Sequence, residues 1–163
     1  YAAVPKGDRA DWMVEKLSEI GVDRFIPLRT DRSVVHPEGR SKLDRWERLS
    51  VESAKQCHRR GVMKIDSLTP LERALAARDE STRRLFLSTV PGTPSLLLQM
   101  PLNPAAIDLF IGPEGGWSGE EMQRMAAAGL TGAALTTTIL RIETAAVAAC
   151  AVVATHFARI SKS

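Results

Sequence analysis

The sequence predicts one α/β domain with a mostly parallel sheet and helices on both faces. Three observations carry that expectation. Apolar residues alternate along the chain between helical and strand periods. Most of the short apolar runs are followed by a stretch with helix start and stop signals, the order that produces parallel strands. Finally, 163 residues fit a single domain, and no repeat, low-complexity tract or linker divides them.

The elements follow in order. Met13, Leu17 and Ile20 recur at helical spacing, with Asp8 near the start and Gly21 as a C-terminal stop. Phe25-Ile26-Pro27-Leu28 reads as a short strand. Ser41 with Asp44 resembles a capping box for a second amphipathic helix marked by Leu43, Trp46, Leu49, Ala54 and Cys57. Val62 to Ile65 suits a strand, and Thr69-Pro70-Leu71-Glu72 suggests a capped helix, with Pro at its first position, reaching about Arg78. Leu85 to Leu87 and Ile107 to Ile111 are the clearest strands, separated by a loop framed by Pro91, Pro94, Pro101 and Pro104 with room for one helical turn. Ser118 with Glu121 forms a third capping box for a helix ending at Gly129; Ala133 to Leu135 is a short strand, and Glu143 to Ile160 a long, Ala-rich, mostly buried helix.

Composition narrows the function classes. With 44% hydrophobic and 25% charged residues the chain is an ordinary globular one, which excludes a disordered protein. No apolar run approaches the roughly 20 residues that span a bilayer, and no basic-then-apolar leader opens the sequence. Cys57 and Cys150 form no CxxC pattern and read as reduced core thiols of a cytosolic protein, without disulfide or metal. His36, His58 and His156 lack the spacing of a metal cluster. Charge is uneven: residues 1–84 hold 18 of the 22 Lys and Arg, and residues 85–163 hold only 4. From Arg24 to Lys64 there are 11 basic residues against 5 acidic ones, which suits either a polyanion partner or two solvated helices.

Three segments carry candidate chemistry. Ile111-Gly112-Pro113-Glu114-Gly115-Gly116 places a glycine-rich turn after a strand, where open parallel sheets bind ligands. It lacks GxGxxG and the Gly-Lys-Ser/Thr of a phosphate loop, which disfavours a dinucleotide or triphosphate; the turn serves either as a tight connector or as a ligand cradle. In Leu135-Thr136-Thr137-Thr138-Ile139-Leu140-Arg141-Ile142-Glu143-Thr144-Ala145, Arg141 and Glu143 are the only charged residues between Arg124 and Arg159. Such a pair needs each other or a ligand, because unpaired buried charge is costly. The third segment, Lys55-Gln56-Cys57-His58-Arg59-Arg60, is either a helix C-terminus complemented by cations or part of a nucleic-acid face.

Read together, Lys6-Gly7-Asp8, Glu15 through Asp23, Ile26-Pro27-Leu28, Arg32-Ser33, Ala54-Lys55-Gln56, Ile111 through Gly116 and Ile139 through Ala145 resemble, across essentially the whole chain, the bacterial small-subunit (16S) ribosomal RNA uridine-N3 methyltransferase family. That family belongs to the SPOUT class. The resemblance implies a C-terminal trefoil knot, a rare exception to ordinary connection rules. It also implies S-adenosylmethionine held by loops around Leu87, Ser88 and Thr89, around Ile111 to Gly116, and around Leu135, Thr136, Ile139 and Leu140, with Thr144 and Ala145 beside them. Arg141 and Glu143 become catalytic candidates, with Arg141 steadying the uracil or the cofactor end and Glu143 orienting it. Lys6, Arg29, Arg32, Gln56, Arg59 and Arg60 are the expected RNA contacts. A homodimer with its active site at the subunit interface is implied, acting in the cytoplasm without membrane or metal. Residues 1–163 correspond to the catalytic domain. The family's N-terminal PUA-like β-barrel has no counterpart, which fits a chain that starts at Tyr1 instead of Met.

Two departures stand out. Thr136 replaces the family's usual Gly, and Cys57-His58 stands inside a segment that retains Gln56 and Arg59. Another SPOUT enzyme, acting on transfer RNA or a ribose hydroxyl, and a non-catalytic RNA-binding module remain the alternatives.

Overall fold

A computed structural model of the chain describes residues 1–160 except 38, 78, 103 and 104, and only the backbone at 159 and 160. Its elements are α1 (Arg9–Ile20), β1 (Arg24–Phe25), β2 (Leu28–Arg29), α2 (Arg40–Gln56), β3 (Lys64–Ile65), β4 (Thr69–Pro70), α3 (Leu71–Ala76), β5 (Thr82–Leu87), α4 (Leu96–Gln99), β6 (Ala106–Phe110), α5 (Gly119–Ala127), β7 (Thr131–Ala133) and α6 (Ile142–Ile160). All strand pairs are parallel: β5 pairs with β6 and β7, β1 with β3, and β2 with β4. Residues 1–3 join these pieces. Ala2 N donates to Ile26 O and Ala2 O accepts from Leu28 N on one side, while Ala3 N donates to Ile111 O and Ile111 N to Tyr1 O on the other. Ala2 therefore forms parallel bridges to Pro27 on one side and Ile111 on the other, a role that Ala-Ala-Val-Pro does not signal because it shows no alternation.

Alternation along the strands places helices on both faces. Leu85 and Leu109 pack with Met13 of α1, Trp46 of α2 and Ala146 of α6. Their neighbours Phe86 and Phe110 pack with Leu75 of α3 and Met125 of α5. The mixed α/β architecture with parallel strands is as expected. No helix among the described residues is long and apolar enough to cross a membrane.

Local expectations fared unevenly. Gly21 ends α1 in the left-handed region at φ 99°, with its N–H and that of Val22 reaching back to the last turn. Ser118 and Glu121 make both bonds of the capping box on α5. Two other caps fail. The second helix starts one residue before Ser41, behind Gly39, and makes no side-chain cap bond. Thr69–Pro70 is strand β4, whose register opposite Leu28–Arg29 fixes an extended backbone; α3 begins only at Leu71, without a side-chain cap. The run from Phe25 to Leu28 divides into β1 and β2 around Ile26-Pro27, since proline has no N–H for a ladder. The last strand of the chain, β7, lies at Thr131–Ala133, slightly earlier than expected. The expected helix end at Arg78 and the framing Pro104 lie outside the described residues.

His58, just beyond the end of α2, holds φ 57°, the left-handed region where a Cβ is unfavourable. His58→Gly is expected to raise stability by about 0.5–1 kcal/mol, the relief of strain outweighing the added freedom of the unfolded chain. Urea denaturation checks this, with a rise in midpoint at unchanged slope as the expected result.

Candidate functional site

The sheet's carboxyl ends open onto a pocket of about 340 Å³. Three loops line it: Leu87 to Val90 after β5, Ile111 to Trp117 after β6, and Leu135, Thr136 and Thr138 to Leu140 after β7. Met122 of α5 and Ile142 and Ala145 of α6 complete the wall, with Arg32 from the turn after β2. All the expected cofactor residues line the pocket except Thr144, which is exposed and is not among the lining residues. An open recess of about 600 Å³ adjoins it, lined by Arg9, Glu114, Ile139, Leu140 and Arg141; Glu114, Ile139 and Leu140 belong to both.

The glycine turn is built by its neighbours. Trp117 is buried and its indole N–H donates to Leu87 O at 2.8 Å, tying the second loop to the first. A Cβ on Gly112 would stand 2.9 Å from that indole, and Gly116 adopts φ +71°. Here glycine is required by a close approach and by a backbone angle. On the other side Arg32 donates to Gly115 O at 2.7 Å. The turn carrying Arg32 is held by Glu121, almost fully buried, whose carboxylate accepts from Asp31 N at 2.9 Å and from Ser118 N at 2.8 Å. The capping residue read from sequence thus also anchors a rim of the pocket.

Thr136 causes no backbone strain, because His58 is the only non-glycine at positive φ among the described residues; its hydroxyl donates to Thr138 O at 2.7 Å. The third loop leaves the main-chain N–H groups of Leu135 and Leu140 without a protein acceptor among the described residues, so they are available to a ligand.

The expected Arg141–Glu143 pair does not form. Glu143, 6% exposed in the first turn of α6, is bound instead by Arg9, whose Nη1 lies 3.4 Å from Glu143 Oε1 and 3.0 Å from Glu114 Oε1. Hydrogen bonding to Glu114 raises the Arg9 pKa above its already high value, so the cation persists at any working pH. Side chains two residues apart on a helix start point in different directions, which leaves Arg141 exposed at the recess with no ion pair among the described residues. Arg9 was not singled out in the sequence; its position directly after Lys6-Gly7-Asp8, at the first helical residue, was the available signal.

The expected RNA contacts divide as well. Lys6, Arg29, Arg32, Gln56 and Arg60 are exposed. Arg59 is not a surface cation: its guanidinium donates to Val22 O at 2.6 Å and Ser18 O at 3.3 Å and pairs with Asp23, sealing the end of α1. Arg59→Ala is accordingly expected to cost about 2 kcal/mol of stability through its two carbonyl partners, whereas Arg60→Ala stays within about 0.5 kcal/mol. Parallel denaturation curves distinguish them. Burial pushes the Cys150 thiol up to about 11, so it stays protonated and is no nucleophile.

The model of the RNA methyltransferase domain matches residues 1–154. The chain belongs to this family. Relatives of the same kind include a "Ribosomal RNA small subunit methyltransferase E" of Bacillus subtilis, 27% identical over 88% of this chain and 60% of its own length. The protein of that name from Synechocystis is 33% identical over 88% of this chain and 48% of its own. Among solved structures, ribosomal RNA small subunit methyltransferase E of Neisseria gonorrhoeae, bound to S-adenosyl methionine, superposes with a TM-score of 0.86 at 29% identity, over 94% of this chain and 63% of that one. The chain thus spans from about half to under two thirds of these relatives' length.

Proposed function

We propose that this chain is the catalytic part of an S-adenosylmethionine-dependent enzyme that methylates N3 of a uridine in small-subunit ribosomal RNA. The observation that carries the reading is the three-loop pocket, in a family member whose solved relative holds that cofactor. Its residues suit an adenosyl group: Leu87, Ile111, Leu135, Leu140 and Ile142 offer apolar walls, and free main-chain donors of the third loop offer hydrogen bonds to a purine edge. When bound, S-adenosylmethionine supplies an activated methyl group on sulfur.

The chain's own residues position and shield. Trp117 fixes two loops against each other, and Arg32 covers the Gly115 carbonyl at the rim. Arg141, unpaired at the recess, supports negative charge developing on the uracil. Glu143 acts through Arg9. N3 is a Watson–Crick edge atom, so the target base must be unpaired or extruded to enter the recess. Exposed Lys6, Arg29, Arg32 and Arg60 contact phosphates, supplying most of the affinity. The C-terminal part is read as the trefoil knot of the SPOUT class, the assembly as a homodimer, and residues 1–163 as the catalytic domain of a longer cytoplasmic enzyme.

Incubation with labelled cofactor and undermethylated small ribosomal subunits, followed by nucleoside mass spectrometry, tests the reading. N3-methyluridine is the expected product. A ribose-methylated nucleoside, or label in transfer RNA only, would replace the substrate; no transfer and no cofactor binding would remove the function.

A further inference from the structure

Methyl transfer to N3 releases the N3 proton, and none of the catalytic assignments above accepts it: arginines have no acceptor, and Glu143 is buried behind Arg9. Glu114 is the only carboxylate lining either cavity among the described residues, and it lies on the boundary that both share. A methyl donor in the pocket and a base in the recess meet at that boundary. The side chain is about half exposed; Oε1 is held by Arg9 at 3.0 Å, and Oε2 takes no hydrogen bond from a described residue. Behind Arg9 stands Glu143, itself embedded in the first turn of α6, with Oε2 buried and unpartnered. The arrangement is an acceptor, a cation that orients it, and a buried carboxylate that orients the cation, the general logic of a positioned base.

We propose that Glu114 is the catalytic base of this site, taking the N3 proton of the target uridine, with Arg9 and Glu143 as positioning residues. The inference rests on the methyltransferase reading. As the N3 lone pair forms its bond to the methyl carbon, the carbon–sulfur electron pair returns to sulfur, leaving a neutral thioether. The N3–H proton passes to Glu114 Oε2 and from there to water. A uracil N3–H is far weaker as an acid than a carboxylic acid, so transfer of the proton accompanies bond formation and does not precede it. The charged groups facing Glu114 are Arg9 from α1 and, across the recess, Arg141, while Arg32 lies on the adjoining Gly115.

The test compares the chain with Glu114→Gln and Glu114→Asp by single-turnover methylation of undermethylated small subunits across pH, with cofactor affinity measured calorimetrically in the absence of RNA. Glu114→Gln is expected to slow transfer at saturating cofactor at least about 100-fold, beyond any loss that a changed cofactor Kd accounts for. Its residual rate should climb about tenfold per pH unit as hydroxide takes over, where the parent is flat. Glu114→Asp keeps a carboxylate and should keep the flat profile with a smaller rate loss. Parental rate and pH profile in Glu114→Gln would overturn the proposal, and so would a loss of cofactor affinity that accounts for the slower rate. Should the parent itself bind cofactor but yield a product other than N3-methyluridine, the substrate reading fails first, and the base assignment falls with it.

Discussion

Gly112→Val is expected to weaken S-adenosylmethionine binding about 100-fold or more, equivalent to roughly 3 kcal/mol, while the protein still folds. The reason lies in one distance: even a Cβ at this position stands 2.9 Å from Trp117 Cε2. The indole cannot retreat freely, because it is buried and its N–H is committed to Leu87 O. A branched side chain must therefore displace the tryptophan, breaking the tie between the first two loops, or occupy the pocket itself. Overpacking of this kind costs typically 1–3 kcal/mol, which the fold tolerates and the pocket does not. Gly112→Ala should fall between, with a loss of roughly tenfold. Calorimetric titration beside a thermal melt reads both effects; parental affinity in Gly112→Val would mean that this loop does not contact the ligand.

Glu121→Ala is expected to cost about 3 kcal/mol of stability, the largest effect of a single polar change here. Two main-chain donors, Asp31 N and Ser118 N, converge on a carboxylate that is 1% exposed. Hydrogen bonds to a charged group contribute about 1.5–3 kcal/mol each, and truncation leaves both donors facing a void. Glu121→Gln retains one acceptor and should lose less, about 1–2 kcal/mol. The alanine change also frees the turn bearing Arg32, so RNA affinity should fall even at temperatures where the variant is folded. Urea denaturation gives the first quantity and a filter-binding curve the second.

Much of the fold could be read from residue patterns because its signals are local. The Gly21 stop, the Ser118–Glu121 cap and the runs at Leu85 and Ile107 depend on neighbours a few positions away, and the structure carries all four. What escaped depends on distant partners. Residues 1–3 bridge two parts of the fold only because backbone on both sides, at Ile26–Leu28 and Ile111, offers hydrogen bonds. Thr69–Pro70 carries a helix-start signal, yet β2 captures it as strand. The same division holds at the site. The glycine turn and the Thr136–Leu140 loop were legible as loops, and they do line one pocket. Partnership was not. Glu143 two positions from Arg141 looked like a pair, but Arg9, 134 residues away, takes the carboxylate. Arg59 likewise looked like a surface cation and turned out to close the end of α1.

On the proposed function, three loops, at Leu87 to Val90, Ile111 to Trp117 and Leu135 to Leu140, enclose the cofactor. Titration of isotopically labelled protein with S-adenosylhomocysteine, followed by amide NMR shifts, tests it most directly. Saturable shifts concentrated in those three loops and at Ala145, with α3 silent, are expected. Shifts confined to other parts of the molecule, or none at millimolar ligand, would contradict it.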